Sequence, residues 1–422
     1  MKSMNPTAEA GKALVTRRNA LQMLGAGAAF VATGCGGSSK KTDDKSGGGF
    51  RLDALPWGID NNGVALLEST EFFASGTGPD LSAMPRTRNL LFITPDGRPS
   101  PVKVRASGFA ISRSGTAVYT ENPLLNTQDI SPQANSAVYL TRPNGVRQKV
   151  LDLSAVSEAS FFDFCEISDR AEQVVVMARR YGRDPFTSVL LRGRVLSSSD
   201  DGSGGNFTVV ATEHGLTPPP TEDDRSKFFR EINSFAVNDA GEVAFSAGRA
   251  DGAQAVYFVP VGGGGGTSVL LAVAGGVAGA TYTDVLRIEN TTTAVSINES
   301  GMVAFGVHRP GNRSAIIKWH RGVFTTVAES AEGEHYSRVS LNNAGGIAYT
   351  SLIGLNDSRP WLTKVAYLPS VAVSVEDGIT FIASGDRLFG RKVIEPQLGG
   401  TRALNDRLEI CLLYTSPSPR DS

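Results

Sequence analysis

Along most of the chain, short apolar runs alternate with polar or glycine-containing turns, and one such pattern recurs almost unchanged. Residues 237–245, 297–305 and 341–349 each give an apolar residue, Asn, two variable residues, Gly, another variable residue, an apolar residue, Ala and an aromatic residue. Asn and Gly suit a tight turn, because Asn bonds its own backbone and Gly adopts positive φ without steric cost. The triplet that follows indicates a short buried strand. Each copy is therefore predicted to be a hairpin corner between two strands.

Four weaker copies of this corner occur elsewhere in the chain. The seven copies begin at apolar residues in positions 59, 111, 167, 237, 297, 341 and 404, with 44 to 70 residues from one to the next. Further short apolar runs follow each corner, and none has the length of a helix. A four-stranded propeller blade needs about 40–50 residues plus loop insertions. The fold class predicted is all-β: a β-propeller of six to eight four-stranded blades over residues 50–410, truncated in its last blade.

The residues that carry the repeat are candidate structural sites at the turns. In the three strict copies they are Asn238, Gly241, Asn298, Gly301, Asn342 and Gly345. The weaker copies replace Asn by Ser112 and Ser168, and replace Gly by Ala171 and Leu408. We expect those copies to form looser or capping blades.

The Asn-x-x-Gly-x-x-Ala-Phe unit resembles the bacterial choice-of-anchor tandem-repeat proteins that are named for the NxxGxxAF repeat. The resemblance covers roughly residues 57–410 and is strongest at the copies that begin with Asn238 and Asn298. It implies export and attachment to the cell surface. It implies no particular activity and supplies no catalytic residue.

The first 49 residues are expected to direct export rather than to fold. Arg17 and Arg18 resemble a twin-arginine export motif, and the apolar segment after them is too short to span a bilayer. Small residues then lead to Cys35 in a pattern that resembles a bacterial lipobox, so we predict a lipoprotein signal peptide over residues 1–35. Residues 36–49 are rich in Gly, Ser, Lys and Asp and are predicted to be a flexible tether.

The last twelve residues break the repeat. After Leu404 the pattern calls for a continuing strand, but Pro417 and Pro419 cannot lie in a central strand. Residues 411–422 resemble the translation of a sequencing adapter. We interpret them as a non-native tail.

Composition and candidate chemistry narrow the function only slightly. The 41 basic and 42 acidic residues balance, which argues against nucleic acid as a partner. Cys165 is expected to be an inert buried thiol. The sequence predicts no metal centre, cofactor site or catalytic constellation, because it has no set of candidate ligands or catalytic residues at the spacing that such sites require. The four histidines do not share a place in the repeat: His214, His308, His320 and His335.

These observations favour a lipid-anchored protein of the bacterial cell envelope, at the outer membrane or cell surface, that acts as a binding or scaffold module for a protein or glycan. The alternative is an envelope hydrolase or lyase with its site at the central channel of the propeller. The sequence leaves enzymatic activity open and favours its absence. Several carboxylates or histidines that meet at the axis would favour the enzyme.

Overall fold

A computed structural model describes most of the repeat region. The described residues are 31–34, 52–71, 87–95, 99–104, 106–121, 136–156, 159, 161–180, 187–195, 206–213, 229–249, 253–262, 268–273, 284–285, 295–310, 313–355, 366–375, 378–383, 387–388, 391–392, 394–398 and 400–415. Arg17, Arg18 and Cys35 lie outside them. Within the described residues there is no α-helix, and a single 3-10 turn covers Leu153–Ala155. No described helix could therefore cross a membrane.

The regular elements are strands. In chain order they are β1 (Val31–Gly34), β2 (Leu52–Ile59), β3 (Ala65–Glu71), β4 (Thr87–Ile93), β5 (Pro99–Val104), β6 (Ala106–Ile111), β7 (Ala117–Glu121), β8 (Ala137–Thr141), β9 (Arg147–Asp152), β10 (Phe161–Ile167), β11 (Gln173–Arg180), β12 (Thr187–Arg194), β13 (Phe207–Thr212), β14 (Phe229–Val237) and β15 (Val243–Arg249). They continue with β16 (Gln254–Val259), β17 (Val269–Val273), β18 (Asp284–Val285), β19 (Val295–Ile297), β20 (Val303–Arg309), β21 (Arg313–His320), β22 (Val323–Glu329), β23 (Glu334–Leu341), β24 (Ile347–Leu355), β25 (Ala366–Val375), β26 (Gly378–Ala383), β27 (Arg387–Leu388), β28 (Arg391–Lys392), β29 (Ile394–Leu398) and β30 (Cys411–Thr415).

These strands form small antiparallel sheets arranged in a ring, so the predicted β-propeller is confirmed. Five sheets have four strands in simple chain order: β2–β5, β6–β9, β10–β13, β14–β17 and β23–β26. This number of regular blades is lower than the six to eight predicted. One sheet, β18–β22, is irregular because two short strands, β18 and β19, share its innermost edge against β20. The last corner is followed by β30, which pairs with β29 and, in parallel, with β1.

Apolar side chains fill the space between consecutive sheets. The repeat triplet supplies much of this core: Ala244, Phe245, Ala304 and Phe305 are all fully buried. Phe245 stacks on Tyr257 with ring centroids 5.1 Å apart. Because each cluster joins residues of two neighbouring sheets, every blade depends on the next one for burial of its apolar face.

Two tryptophans serve this packing between sheets. The ring centroid of Trp57 lies 5.7 Å from that of Phe109 in the following sheet, and the ring centroid of Trp319 lies 5.0 Å from that of Phe258 in the preceding sheet. The large aromatic area of these side chains is thus used to hold sheets together.

The antiparallel order gives the molecule two distinct faces. The corner turns join the first and second strands of each sheet. The hairpins between the third and fourth strands lie at the same end of the strands, and we call this end of the molecule the corner face. Contacts confirm this arrangement: His320 Nε2 at one such hairpin lies 3.2 Å from the carbonyl oxygen of Ser300 in a corner turn. The connections between second and third strands, and from one sheet to the next, leave at the opposite face.

Candidate functional site

The seven predicted corners share one internal structure. They occupy residues 60–64, 112–116, 168–172, 238–242, 298–302, 342–346 and 405–409, and are called here the first to seventh corners. In the fifth corner the Oδ1 of Asn298 accepts hydrogen bonds from the backbone N–H of Met302 (3.0 Å) and of Ser300 (3.2 Å). The first residue of the corner thus closes its own turn with its side chain, as the sequence predicts for Asn.

The weaker copies close in the same way with other oxygen atoms. Asp60 Oδ1 accepts from Val64 N (2.7 Å), Ser112 Oγ from Thr116 N (2.9 Å) and Ser168 Oγ from Glu172 N (3.1 Å). At the level of the turn these copies close as the strict copies do, because a hydroxyl or carboxylate oxygen accepts the same hydrogen bond as an amide oxygen; that they form looser or capping blades stays a prediction.

The fourth residue of every corner has positive φ. Glycine meets this need in five corners, for example at Gly241 with φ +84° and Gly301 with φ +75°. Ala171 and Leu408 adopt φ +63° in the third and seventh corners although they carry a side chain. Non-glycine residues in this region are strained by about 1–2 kcal/mol, which identifies a testable weak point in each of the two corners.

We therefore expect Ala171→Gly to stabilise the protein, and Gly241→Ala, its matched opposite, to destabilise it by about 1 kcal/mol. A Cβ at Gly241 would lie 3.4 Å from its nearest neighbour, so the expected loss comes from φ rather than from a clash. The gain at Ala171 is smaller, about 0.5 kcal/mol, because glycine also gains freedom in the unfolded chain. Urea denaturation of both variants checks the opposite signs.

Hydrogen bonds link successive corners into one closed ring. Four corners use the Asn side-chain Nδ2, which donates to the backbone carbonyl oxygen of the first residue of the next corner. These bonds are Asn238 to Asn298 (3.1 Å), Asn298 to Asn342 (3.1 Å), Asn342 to Asn405 (3.1 Å) and Asn405 to Asp60 (2.7 Å). The last of them joins the seventh corner to the first and closes the ring.

The three corners without Asn at the first position use backbone N–H groups for the same purpose. Asn61 N donates to Arg113 O (2.9 Å), and Ser114 N donates to Asp169 O (3.0 Å). Arg170 N donates to Asp239 Oδ1 (2.9 Å). The predicted turn residues Asn238, Asn298 and Asn342 thus act twice, since each closes its own turn and also binds the following blade.

A second ring, which the sequence analysis missed, is formed by the second residue of each corner. These residues are Asn61, Arg113, Asp169, Asp239, Glu299, Asn343 and Asp406. Glu299 Oε2 accepts from Asp239 N (2.7 Å), and Asp406 Oδ1 accepts from Asn343 N (2.8 Å). The position is variable in the repeat, but it is polar in all seven copies, and that regularity is the signal that could have revealed it.

Two arginines fill the axis inside this ring. Arg113 donates from Nη2 to the carbonyl oxygen of Leu341 (2.8 Å) and from Nη1 to that of Leu404 (2.6 Å). Its own corner is the second, whereas those carbonyls precede the sixth and seventh corners. In a seven-membered ring the second and sixth corners are as far apart as two members can be. The guanidinium therefore crosses the axis.

Arg402 crosses the axis from the other side. It donates to the carbonyl oxygens of Ile167 (2.6 Å) and Val237 (3.0 Å), which precede the third and fourth corners. Both arginines bind Asp169, whose carboxylate lies between them, and all three side chains are at most 6% exposed. This end of the central channel is closed by paired charges.

Burial strongly changes the protonation of groups around the axis. Burial, followed by the nearby charge of Arg113, lowers the pKa of Arg402 to about 9. Burial raises the pKa of Glu166 to about 7. Glu166 Oε1 accepts from Thr401 Oγ1 (2.8 Å), and its Oε2 has no hydrogen-bond partner among the described residues. Glu166 is thus a neutral or half-ionised acid inside the ring at neutral pH.

This predicts that stability falls as the pH rises from about 4.5 to about 7. Between these values folded Glu166 keeps a proton that the unfolded chain has lost, so a rise in pH favours unfolding. In Glu166→Gln this contribution, about 1–3 kcal/mol, disappears. Urea denaturation at pH 5, 6, 7 and 8 measures it, with Glu332→Gln at an exposed position as the control. Equal pH slopes in the parent and in Glu166→Gln would contradict the prediction.

At the mouth of the ring, Glu299 is a second acid whose pKa is raised. Burial, and then the facing carboxylate of Asp239, raise its pKa to about 7, against the favourable hydrogen bond from Asp239 N. The carboxylates of this ring are held mainly by backbone N–H groups and by asparagine side chains: Asn343 Nδ2, for example, donates to Asp169 Oδ2 (2.7 Å) and Asp406 Oδ2 (3.0 Å).

Within the described residues, no group of three or more His, Cys, Asp or Glu side chains is arranged to hold a metal ion. The rings of His308 and His335 lie 5.8 Å apart at the edge of two sheets, and His214 lies outside the described residues. Cys165 is buried and unpaired, and burial raises its thiol pKa well above the usual value. The ring of corners therefore works mainly through hydrogen bonds between polar side chains and the backbone.

Comparison with known families adds one assignment. The sequence of residues 194–385 matches the profile of a family of unknown function, DUF7453. The match covers less than half of the chain, so this region is similar to that family. It includes the three strict Asn-x-x-Gly corners and the sheets β14–β17, β18–β22 and β23–β26. Among curated proteins none matches the chain.

Solved structures with similar folds are propellers of several kinds. One is oligogalacturonate lyase from Vibrio parahaemolyticus, with 11% identity, a TM-score of 0.44, and 83% of this chain and 86% of that chain covered. Another is the propeller domain of the Trilobed protease from Pyrococcus furiosus, with 9% identity, a TM-score of 0.38, and 78% of this chain and 94% of that chain covered. A third is the Aleuria aurantia lectin, with 10% identity, a TM-score of 0.37, and 79% of this chain and 94% of that chain covered. At these values the similarity concerns the fold alone.

Proposed function

We propose that this protein is a tethered binding or scaffold module of the bacterial cell envelope, with a protein or glycan as its partner. The attachment rests on the motif around Arg17 and Arg18 and on Cys35, all outside the described residues. The binding role rests on the propeller fold and on how its two faces differ. Each of these supports can be tested separately.

The observation that carries the binding role is the closure of the axis at the corner face. Arg113 and Arg402 fill the channel there, and their donors are directed at carbonyl oxygens and at Asp169. A hydrolase or lyase site needs reacting groups that meet in a cleft open to substrate. Side chains that are buried and bound to the backbone instead make a rigid platform.

The opposite face offers the more suitable recognition surface. At the corner face the turns are five residues long in every copy and the hairpins beside them range from residues 321–322 to residues 195–206, whereas the longest connections at the opposite face are longer still. Those between second and third strands range from residues 72–86 and 122–136 down to 310–312. Loops of unequal length on a rigid scaffold are where binding residues concentrate. A partner would accordingly bind at the opposite face.

The test is a loop exchange. Residues 122–135 are replaced by a Gly-Ser linker of equal length, and residues 196–205, at the corner face, which include Leu196, Asp200 and Asp201, are replaced in the same way as the matched control. Retention on a panel of neutral and acidic polysaccharides and peptidoglycan is measured by affinity electrophoresis, together with the release of reducing ends and unsaturated products. We expect retention without products, lost in the first variant and kept in the second. Retention that survives exchange at the opposite face would contradict the proposed surface.

One observation favours the alternative, an envelope hydrolase or lyase. Glu299 and Asp239 form a pair of carboxylates at the mouth of the ring, and the pKa of Glu299 is raised to about 7, a value that suits a general acid or base. If the panel yields products, Glu299→Gln is expected to lower the rate at least about 100-fold. Asp152→Asn, a carboxylate remote from the corner ring, serves as the control and leaves the rate unchanged.

A further inference from the structure

The large exposed apolar side chains of the described residues are confined to one face. The large ones are Val146, Val209, Val261, Val269, Leu270 and Val323, with exposed fractions from 39% to 66%. Single exposed apolar residues are common on protein surfaces and usually mean little. Here all six lie on the hairpins between third and fourth strands, or within three residues of the start of a fourth strand. We call this set the hairpin rim.

The hairpin rim runs along four consecutive sheets. Val146 belongs to the hairpin of β8–β9, Val209 lies near the start of β13, Val261 belongs to the hairpin of β16–β17, and Val323 begins β22. Because these hairpins all leave their sheets at the corner face, the apolar tips project at the same end of the molecule. An arc of single apolar tips suits a broad, flat partner better than a peptide, which would contact one or two neighbouring blades.

The charge of the corner face identifies the chemistry of that partner. Its exposed charged residues, among those that the structure describes, are all arginines: Arg142, Arg147, Arg170, Arg194, Arg321 and Arg407. Three of them form ion pairs within the protein: Arg147 with Glu121, Arg170 with Asp239 and Arg407 with Glu409. Three others, Arg142, Arg194 and Arg321, belong to or adjoin the hairpins of the rim.

Acidic groups are distributed in the opposite way. The exposed acidic residues of the described chain are Glu231, Glu329 and Glu332, at strand ends that point to the opposite face, where Arg313 is also exposed. The carboxylates of the corner face are instead drawn into the ring around the axis, as with Glu299 and Asp406. Among the described residues, the rim therefore presents valine tips beside Arg142, Arg194 and Arg321, while Asp200 and Asp201 of the β12–β13 hairpin lie outside the described residues.

We propose that the hairpin rim docks on the surface of an anionic lipid bilayer. Valine side chains enter the boundary between headgroups and acyl chains, while the arginines bind lipid phosphates, which is the combination that binds interfacial proteins to anionic membranes. Contact between each valine tip and the bilayer removes apolar area from water. The opposite face, with its longer connections, then points away from the membrane.

The predicted tether is long enough for this orientation. Cleavage before Cys35, as the lipobox predicts, would remove β1 (Val31–Gly34), which pairs with β30; the first blade then begins at Leu52, and its β2 runs from the opposite face toward the corner face. Residues 36–51 can span at most roughly 50 Å, whereas an eight-residue strand is about 26 Å long. A chain attached at Cys35 could therefore reach past the side of the propeller and leave the rim against the lipid.

The experiment uses the full chain with Cys35→Ser, so that a covalent lipid makes no contribution. Sedimentation with vesicles of equal parts phosphatidylglycerol and phosphatidylcholine is compared with sedimentation with phosphatidylcholine alone. We expect binding that depends on phosphatidylglycerol and weakens at high salt. In the variant Arg142→Gln, Arg194→Gln, Arg321→Gln the partition coefficient should fall about fivefold for each arginine, and Arg313→Gln at the opposite face should leave it unchanged.

The apolar part is tested with Val146→Ser, Val261→Ser, Val323→Ser, for which we expect a loss of about tenfold. Residues 1–34 are present in every variant, so binding by the leader alone would give equal partition for the parent and both triple variants and would overturn the proposal. So would equal binding to the two kinds of vesicle. Far-ultraviolet circular dichroism confirms the fold, and single Arg→Gln variants replace any triple variant that fails to fold. A failed loop exchange at the opposite face would leave this result intact, so the two proposals fail independently.

Discussion

Replacing Arg402 with Met lowers the free energy of unfolding by about 3–5 kcal/mol. The substitution removes the donors that satisfy the carbonyl oxygens of Ile167 and Val237, and it leaves the carboxylate of Asp169 with one arginine instead of two. These groups are buried at the axis, where water cannot replace the lost hydrogen bonds. The measurement is urea denaturation followed by tryptophan fluorescence.

The matched control is Arg407→Met in the seventh corner. The Arg407 side chain is 57% exposed, although it also forms an ion pair, with Glu409 at 2.7 Å. Glu409 is buried, but it keeps the hydrogen bond from Asn405 Nδ2 when the half-exposed guanidinium is removed, so this variant should lose at most about 1 kcal/mol. Arg402→Lys should fall between the two, because one ammonium group cannot reproduce the planar fork that reaches two carbonyls and a carboxylate. Equal losses for Arg402→Met and Arg407→Met would show that the axis is not held in this way.

Asn298→Ala is expected to cost about 3 kcal/mol. The change removes the acceptor of Met302 N and Ser300 N and the donor to Asn342 O, so that buried backbone groups lose their partners inside one corner and between two. Ser300→Ala in the same turn should cost well under 1 kcal/mol, since Ser300 is exposed. Thermal and urea denaturation of the two variants give the comparison.

Asn298→Asp separates the two roles of this side chain. It keeps the oxygen that closes the turn and loses the Nδ2 donor that binds the sixth corner. Asp60 shows that a carboxylate can close such a turn, because its Oδ1 accepts from Val64 N. The expected loss is about 1–2 kcal/mol, between those of Asn298→Ala and Ser300→Ala. A loss as large as that of Asn298→Ala would mean that the bond between corners carries all the stability.

The repeat could be found from sequence because it is local. Within a corner, the side chain of Asn238 and the positive φ of Gly241 act over four residues, so the pattern is visible in any window of that length. The substitutions Ser112 and Ser168 were harder to judge, since their equivalence to Asn depends on one oxygen atom at the right distance. Sequence reasoning therefore located all seven corners but not the way in which the weaker ones close their turns.

The axis could not be predicted in the same way. Arg113 and Arg402 occur once each, and their partners lie far away in the chain: the carbonyl oxygen of Ile167 is 235 residues from Arg402. No repeat or spacing connects such residues before the ring is closed. The irregular sheet of β18–β22 escaped prediction for a related reason, because two short strands at one edge are an arrangement that strand propensity alone does not reveal.

The most direct test of the closed ring is hydrogen exchange at the amides that the corners bury. Those of Val64, Met302, Gly346 and Glu409 each donate to the first side chain of their corner. If Asn405 joins Asp60 as Asn298 joins Asn342, all four should exchange with similar, high protection, since opening any corner then breaks the same ring. Exchange at Val64 and Glu409 orders of magnitude faster than at Met302 and Gly346 would show that the ring is open between the seventh corner and the first.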